Sequence, residues 1–162
     1  MTAAMPISQF FAELGFPLHN VRWSWGARSE QGILLRAWAD ELRYTQRCIR
    51  VLGTPEVIRQ VDRNGLLERV NHLQALWNSG IAGYVAVVTA KDVHATPRVI
   101  SDYRRDIVFA IEHLQQNPDA SIDAVFAREP IPVATLHQHA AGHRTVANSD
   151  AFPLIEIPAS PR

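Results

Sequence analysis

Between His19 and Glu41 the chain concentrates three of its four tryptophans. Trp23, Trp25 and Trp38 are interleaved with Asn20, Arg22, Ser24, Arg36 and Asp40. An indole face stacks on other flat rings, and a guanidinium fork donates paired hydrogen bonds. Amide, hydroxyl and carboxylate groups supply the edge contacts that fix a ring's orientation. These residue types in one short stretch suit a pocket that grips a flat polar ring. The opposing reading is that the tryptophans are core. It weighs most on Trp23 and Trp25, which would share one strand face with Val21. Trp38, beside Arg36 on a mixed face, is the tryptophan best placed to bind.

Other chemistry is thinner. His137, His139 and His143 stand at a spacing that can hold zinc, copper or nickel, but no carboxylate or cysteine nearby completes a set, so a fortuitous histidine cluster is the stronger reading. Cys48 is the only cysteine, which excludes an internal disulfide and a cysteine-rich zinc site, and it reads as a half-buried strand residue. Thr89-Ala90-Lys91 places threonine where a metal-dependent nuclease strand needs an acid. Ser24 lacks the glycines of a nucleophile elbow. No phosphate loop or dinucleotide fingerprint occurs, and no cofactor is implied.

The elements that must position the tryptophans read as a β-hairpin. Val21 to Trp25 alternates as one strand, Gly26 to Gly32 connects, and Ile33 to Glu41 returns. Ile33, Leu35, Ala37 and Ala39 form an apolar face of the return strand. Before it, Pro6 to Gly15 reads as a short helix. Cys48 to Leu52 is a third strand, preceded by Arg43 and Arg47. With Arg50 these form a basic run that suits either a solvated strand edge or a phosphate contact. Thr54-Pro55-Glu56 starts a helix, Asn64-Gly65 interrupts, and Leu66, Leu67, Val70, Leu73, Leu76 and Trp77 recur as the stripe of an amphipathic helix ending near Gly80. His72 lies off that stripe and reads as surface. Ile81 to Ala90 is apolar on both faces and predicts a central, doubly covered strand. Shorter strands follow at Arg98–Tyr103, Asp106–Ile111, Ile122–Ala127 and Ile131–Ala134. The pattern then fades. The expected organisation is one domain over residues 1–135 and a poorly structured tail over 136–162. The fold class is α+β: a small, curved or barrel-like, mainly antiparallel sheet with two or three flanking helices.

The 162 residues suit a single domain, and 47% hydrophobic content supplies a core. No apolar run approaches the roughly 20 residues that cross a bilayer. Met1 to Phe11 lacks the basic and apolar regions of a secretory signal, so a cytoplasmic setting and no membrane contact are expected. Sixteen basic residues balance sixteen acidic ones. Zero net charge argues against nonspecific coating of nucleic acid, which depends on neutralising phosphates. It leaves local contact open. Fifteen of the sixteen basic residues are arginine, which suits forked contacts to phosphate or guanine, though codon bias explains the excess equally well.

The segment Asn20 to Ala27, the strand Leu35 to Glu41, and Gly83-Tyr84 through Lys91-Asp92 with Pro97-Arg98 together resemble small domains that accompany modification-dependent HNH nucleases. More broadly they resemble the PUA superfamily with its EVE, YTH and SRA-like readers. The likeness spans Phe16 to Val133. It implies a PUA-like barrel with flanking helices that receives a flipped, modified base of DNA, with RNA the weaker alternative. By the same likeness Trp23, Trp25 and Trp38 would wall the pocket, Asn20, Ser24 and Asp40 would meet the base edge, and Arg22, Arg36 and Arg98 would contact phosphate or base. The chain departs from those nucleases in having no metal-binding ββα unit. The implied role is therefore a binding module without catalysis of its own, acting alone or with a separate nuclease subunit. The alternatives are a small-molecule or metal-dependent enzyme using the same pocket, with the three histidines as ligands, and a protein-interaction subunit.

Overall fold

The computed structural model describes residues 5–158. The chain is α+β, with a mixed, mainly antiparallel sheet and a few helices. α1 (Ile7–Glu13) follows Pro6 and places Phe10 and Phe11 inward. β1 (Gly26–Ser29) and β2 (Gly32–Trp38) form a hairpin around Glu30-Gln31. A single 3-10 turn, Ala39–Glu41, leads to β3 (Leu42–Arg43) and β4 (Cys48–Leu52). α2 (Pro55–Ile58) precedes the long α3 (Arg63–Ser79). Asp62 caps α3 by accepting from the Gly65 N–H, and Gly80 ends it in the left-handed conformation. Then come β5 (Gly83–Ala90), β6 (Ile100–Tyr103), β7 (Ile107–Gln116), β8 (Ile122–Phe126), β9 (Ile131–Pro132) and α4 (Leu136–Gly142).

Strand order is β1-β2-β5-β7-β8-β4-β3, with β6 beside β5 and β9 beside β7. Only β2 and β5 run parallel, as their connection through the helices allows. β5 is buried along most of its length on both faces, as its continuous apolar run predicts. One face, carrying Ile33, Leu35, Val85, Val87, Phe109 and Ile111, packs against Leu66, Leu73, Leu76 and Trp77 of α3. The other, carrying Leu34, Tyr84, Ala86 and Val88, packs against α1 and α4. Each fully buried Leu, Ile or Phe contributes about 1.5–3 kcal/mol. Register shifts in β4–β8 and β7–β8 bend the strands, and the sheet curls until β2 and β4 touch. No ladder joins β1 to β3, the two ends of the path, so the sheet is not the closed barrel of the implied PUA-like fold.

Three expectations change. The hairpin exists, but its first strand starts at Gly26, not Val21. Asn20 Oδ1 accepts from the Arg22 N–H (2.9 Å), and the Ser24 N–H donates to the Asn20 carbonyl (2.9 Å), so residues 20–24 form a turn rather than a strand. The helix is not interrupted at Asn64-Gly65, because its cap at Asp62 places Gly65 inside the first turn. The segment after residue 135 is not a loose tail. It begins as α4, and residues 143–158 then cross α3. The Asn148 N–H donates to the Trp77 carbonyl (2.8 Å), and Trp77 Nε1 donates to the Asp150 carbonyl (2.8 Å). Phe152 packs edge-on against Trp77, and Ile155 and Ile157 cover the core. This strap satisfies its backbone against other elements, so it carries no periodicity of its own. Residues 159–162 lie outside the described part, as do residues 1–4 of the expected domain.

Candidate functional site

The tryptophan segment lies across α3. Ser24, fully buried, donates to Glu68 Oε2 (2.9 Å), and the Trp25 N–H donates to Glu68 Oε1 (3.3 Å). The Asn20 N–H donates to Ser24 Oγ (3.0 Å). Trp25 rests on Gly65, where a Cβ would come within 2.4 Å of the indole. Beneath it runs Arg69, a buried arginine whose guanidinium donates to three carbonyls: Val51 (2.6 Å), Trp25 (2.7 Å) and Arg36 (2.7 Å). Val51 sits where β4 and β8 step out of register. Arg69 therefore spans the gap between β2 and β4, the place where the curled sheet approaches itself without pairing. Burial, with Arg36 adding to it, pulls Arg69 down to about 9, and it stays a cation at neutral pH. Burial likewise brings Arg36 down to about 10, offset by Glu68. Asn20, Ser24, Trp25 and Arg36 thus share one brace with Glu68 and Arg69. Sequence reasoning missed the last two. The signal was there: Arg69 falls three residues after Leu66 and four before Leu73, on the apolar stripe. Arg22 is exposed, and Trp23 is half-buried with its ring 5.8 Å from that of His19.

Trp38, Asp40 and Arg98 come together elsewhere. The Arg98 guanidinium lies 5.3 Å over the Trp38 ring and is held in a fork by Asp40 (2.8 and 3.1 Å). Glu41 reaches Arg98 (3.8 Å) and Arg50 (3.7 Å), and Arg50 reaches Asp119 (3.4 Å). Burial raises the Glu41 carboxyl, with Arg50 opposing. This chain of partly exposed pairs runs from the end of the sheet where β2 and β5 finish to Asp119 in the β7–β8 turn.

At the same end a cleft of about 600 Å³ opens between the β3–β4 turn, the start of β7 and the end of β8. Tyr44, Arg47, Arg104, Phe109, Phe126 and Arg128 line it. None of the nine residues singled out from the sequence does. The β3–β4 turn is closed by the Arg47 N–H donating to the Tyr44 carbonyl (3.1 Å), and Arg47 is tied to β8 through its carbonyl (2.8 Å to the Phe126 N–H). Arg47 holds a left-handed φ of 53°, a conformation that costs a non-glycine residue on the order of 1–3 kcal/mol. Tyr44 stands 63% exposed with its ring edge-on to Phe109 (6.4 Å), which in turn packs on Phe126 (4.4 Å). Arg104 is clamped by Asp106 through Nε (2.9 Å) and Nη2 (2.8 Å). This holds Arg104 above its ordinary value and takes the Asp106 carboxyl down to about 2. Arg47 approaches Glu112 at 3.6 Å. Arg128 is exposed, and no carboxylate lines the cleft. Of this set, the sequence pointed to Arg47 alone, through the basic run; Arg50 of that run is taken by Glu41 and Asp119.

The histidines face separate partners. His137 Nδ1 donates to Gln31 Oε1 (3.0 Å), whose amide is fixed by the Leu14 carbonyl. His139 Nδ1 meets the Tyr84 hydroxyl (2.7 Å), and His143 Nε2 donates to the Ile111 carbonyl (3.0 Å). Burial raises the Tyr84 phenol and lowers His143. Among the described residues no group of three or more His, Cys, Asp or Glu side chains is arranged to hold a metal ion. A second cavity, of about 540 Å³, lies beside α4 and the β1–β2 turn, lined in part by Arg28, Glu30, His137 and Arg144. No helix among the described residues is long and apolar enough to cross a membrane. No protein-family model, curated protein or solved structure matches the chain.

Proposed function

We propose that the chain is a non-catalytic binding module that receives an extruded, modified base of DNA, and that the base enters the cleft of Tyr44, Arg47, Arg104, Phe109 and Arg128. The observation that carries this is the pairing of an exposed aromatic ring with three arginines around a cleft free of carboxylates. At about 600 Å³ the cleft falls in the range of small-ligand sites and leaves room for a substituent on the ring. Extruding a base costs a few kcal/mol, and stacking on Tyr44 offsets about 1–3 kcal/mol of it. The arginines meet the flanking phosphates and the base edge. Such local contact is compatible with zero net charge, since Arg104 and Arg47 are offset by Asp106 and Glu112 while Arg128 pairs with no carboxylate among the described residues. Any cleavage would be supplied by a separate nuclease subunit.

The test is binding of the full chain to duplexes carrying one modified cytosine, adenine or guanine, against unmodified DNA, at fixed salt. Tyr44→Ala and Arg128→Ala are each expected to weaken binding by about tenfold. Equal, negligible binding to every duplex refutes the reading. A loss confined to Trp38→Ala would place the base on the Trp38–Arg98 stack instead.

A further inference from the structure

We infer, resting on that reading, that the cleft selects a base presenting two adjacent acceptors, the O6 and N7 edge of guanine, over one presenting an amino group. The polar side chains around it are almost wholly donors. Arg47, Arg104 and Arg128 have no acceptor atom, and only the hydroxyls of Tyr44 and Thr45 can serve both roles. Asparagine and glutamine, which read adenine, are missing from the lining, and so are the carboxylates that accept from cytosine.

The three arginines are not equivalent. Arg104 is fixed through Nε and Nη2 by Asp106, which occupies its fork and offsets its charge and leaves only Nη1 to donate. Arg47 is directed toward Glu112 and held by its strained turn. Arg128, just beyond β8, makes no side-chain hydrogen bond or ion pair among the described residues, so its whole fork is available. A guanidinium fork matches two neighbouring acceptors in its plane. An amino group brought to the same place sets donor against donor and leaves both unpaired, a cost that discriminates far better than the loss of an apolar contact.

The experiment uses the full chain and short duplexes with one unpaired, bulged nucleotide, read by fluorescence anisotropy at constant salt. Guanine is expected to bind about tenfold or more tighter than adenine or cytosine. Hypoxanthine, which keeps O6 and N7 but lacks the 2-amino group, should bind as guanine does, and 7-deazaguanine should fall toward adenine. Arg128→Gln replaces the all-donor fork by one donor and one acceptor, so it should shift the preference from guanine toward adenine, with a shallower salt dependence for the lost charge. Equal affinity for all bulges, still reduced by Tyr44→Ala, overturns the edge selection and leaves the base-binding reading standing. Binding of no bulge while a modified duplex still binds overturns the edge selection alone, and binding of neither the bulges nor any modified duplex overturns both.

Discussion

Arg69 offers the sharpest test of how this fold holds together. Replacing it by methionine keeps an unbranched side chain of similar length on the stripe of α3 and removes every donor. Three carbonyls then lose a charged partner: Val51 O, Trp25 O and Arg36 O. A buried acceptor left unpaired costs about 1–3 kcal/mol, which gives about 3–9 kcal/mol for three. Trp25 O still accepts from the Arg36 N–H (2.9 Å), and the guanidinium's own desolvation is relieved, so the expected loss lies at the lower end, about 3–5 kcal/mol. That is a large share of the 5–15 kcal/mol that stabilises a typical domain. Arg69→Lys should be no milder, because a single ammonium cannot reach three carbonyls and leaves a charge buried. Urea unfolding followed by tryptophan fluorescence reads this directly, with Trp25 stacked 5.8 Å from the substituted group. A loss under about 1 kcal/mol for Arg69→Met, or a clearly milder Arg69→Lys, would refute the idea that this one side chain ties β2 to β4.

His72 is half-buried, its Nδ1 has no partner, and burial beside Arg69 takes it from 6.5 down to about 4. Between pH 6.5 and 4 the unfolded chain therefore binds more protons than the folded one, so stability falls as pH drops through that window and His72 adds no slope above it. At about 1.4 kcal/mol per pH unit the ceiling over this window is about 3.5 kcal/mol, and His72→Leu should flatten the slope in unfolding curves taken across the window. Gly65→Ala should lower the melting temperature by several degrees despite the helix preference of alanine, because the new methyl meets Trp25 at 2.4 Å; an unchanged or higher value would show that the indole yields freely. Trp77→Phe removes the hydrogen bond to Asp150 and should cost about 1 kcal/mol while speeding proteolysis within residues 144–158. Unchanged cleavage there would mean that Phe152 and the isoleucines hold the strap without it.

Much of the architecture was legible in the residues. The apolar run of β5, the capped start and glycine stop of α3, and the alternation in β2 follow from local periodicity and terminal chemistry, which a linear sequence carries in full. The mixed α+β class followed from adding these elements. Periodicity failed where the backbone finds its partners far along the chain. Residues 20–24 looked like a strand because their side chains alternate, yet an Asn-initiated turn and the reach to Glu68 decide their shape. Residues 143–158 looked patternless because their hydrogen bonds go to Trp77, Glu112 and Leu114. The clustering of aromatic and arginine residues is a property of the sequence, but which of them share a cleft is not. Trp25 was drawn into the brace by a glycine forty residues away. Tyr44, Phe109 and Arg128, on three separate elements, meet only because the bulged strands curl the sheet and bring the β3–β4 turn over the start of β7 and the end of β8. Local chemistry names the elements; the curvature that gathers distant side chains into one place exists only once the whole sheet has formed.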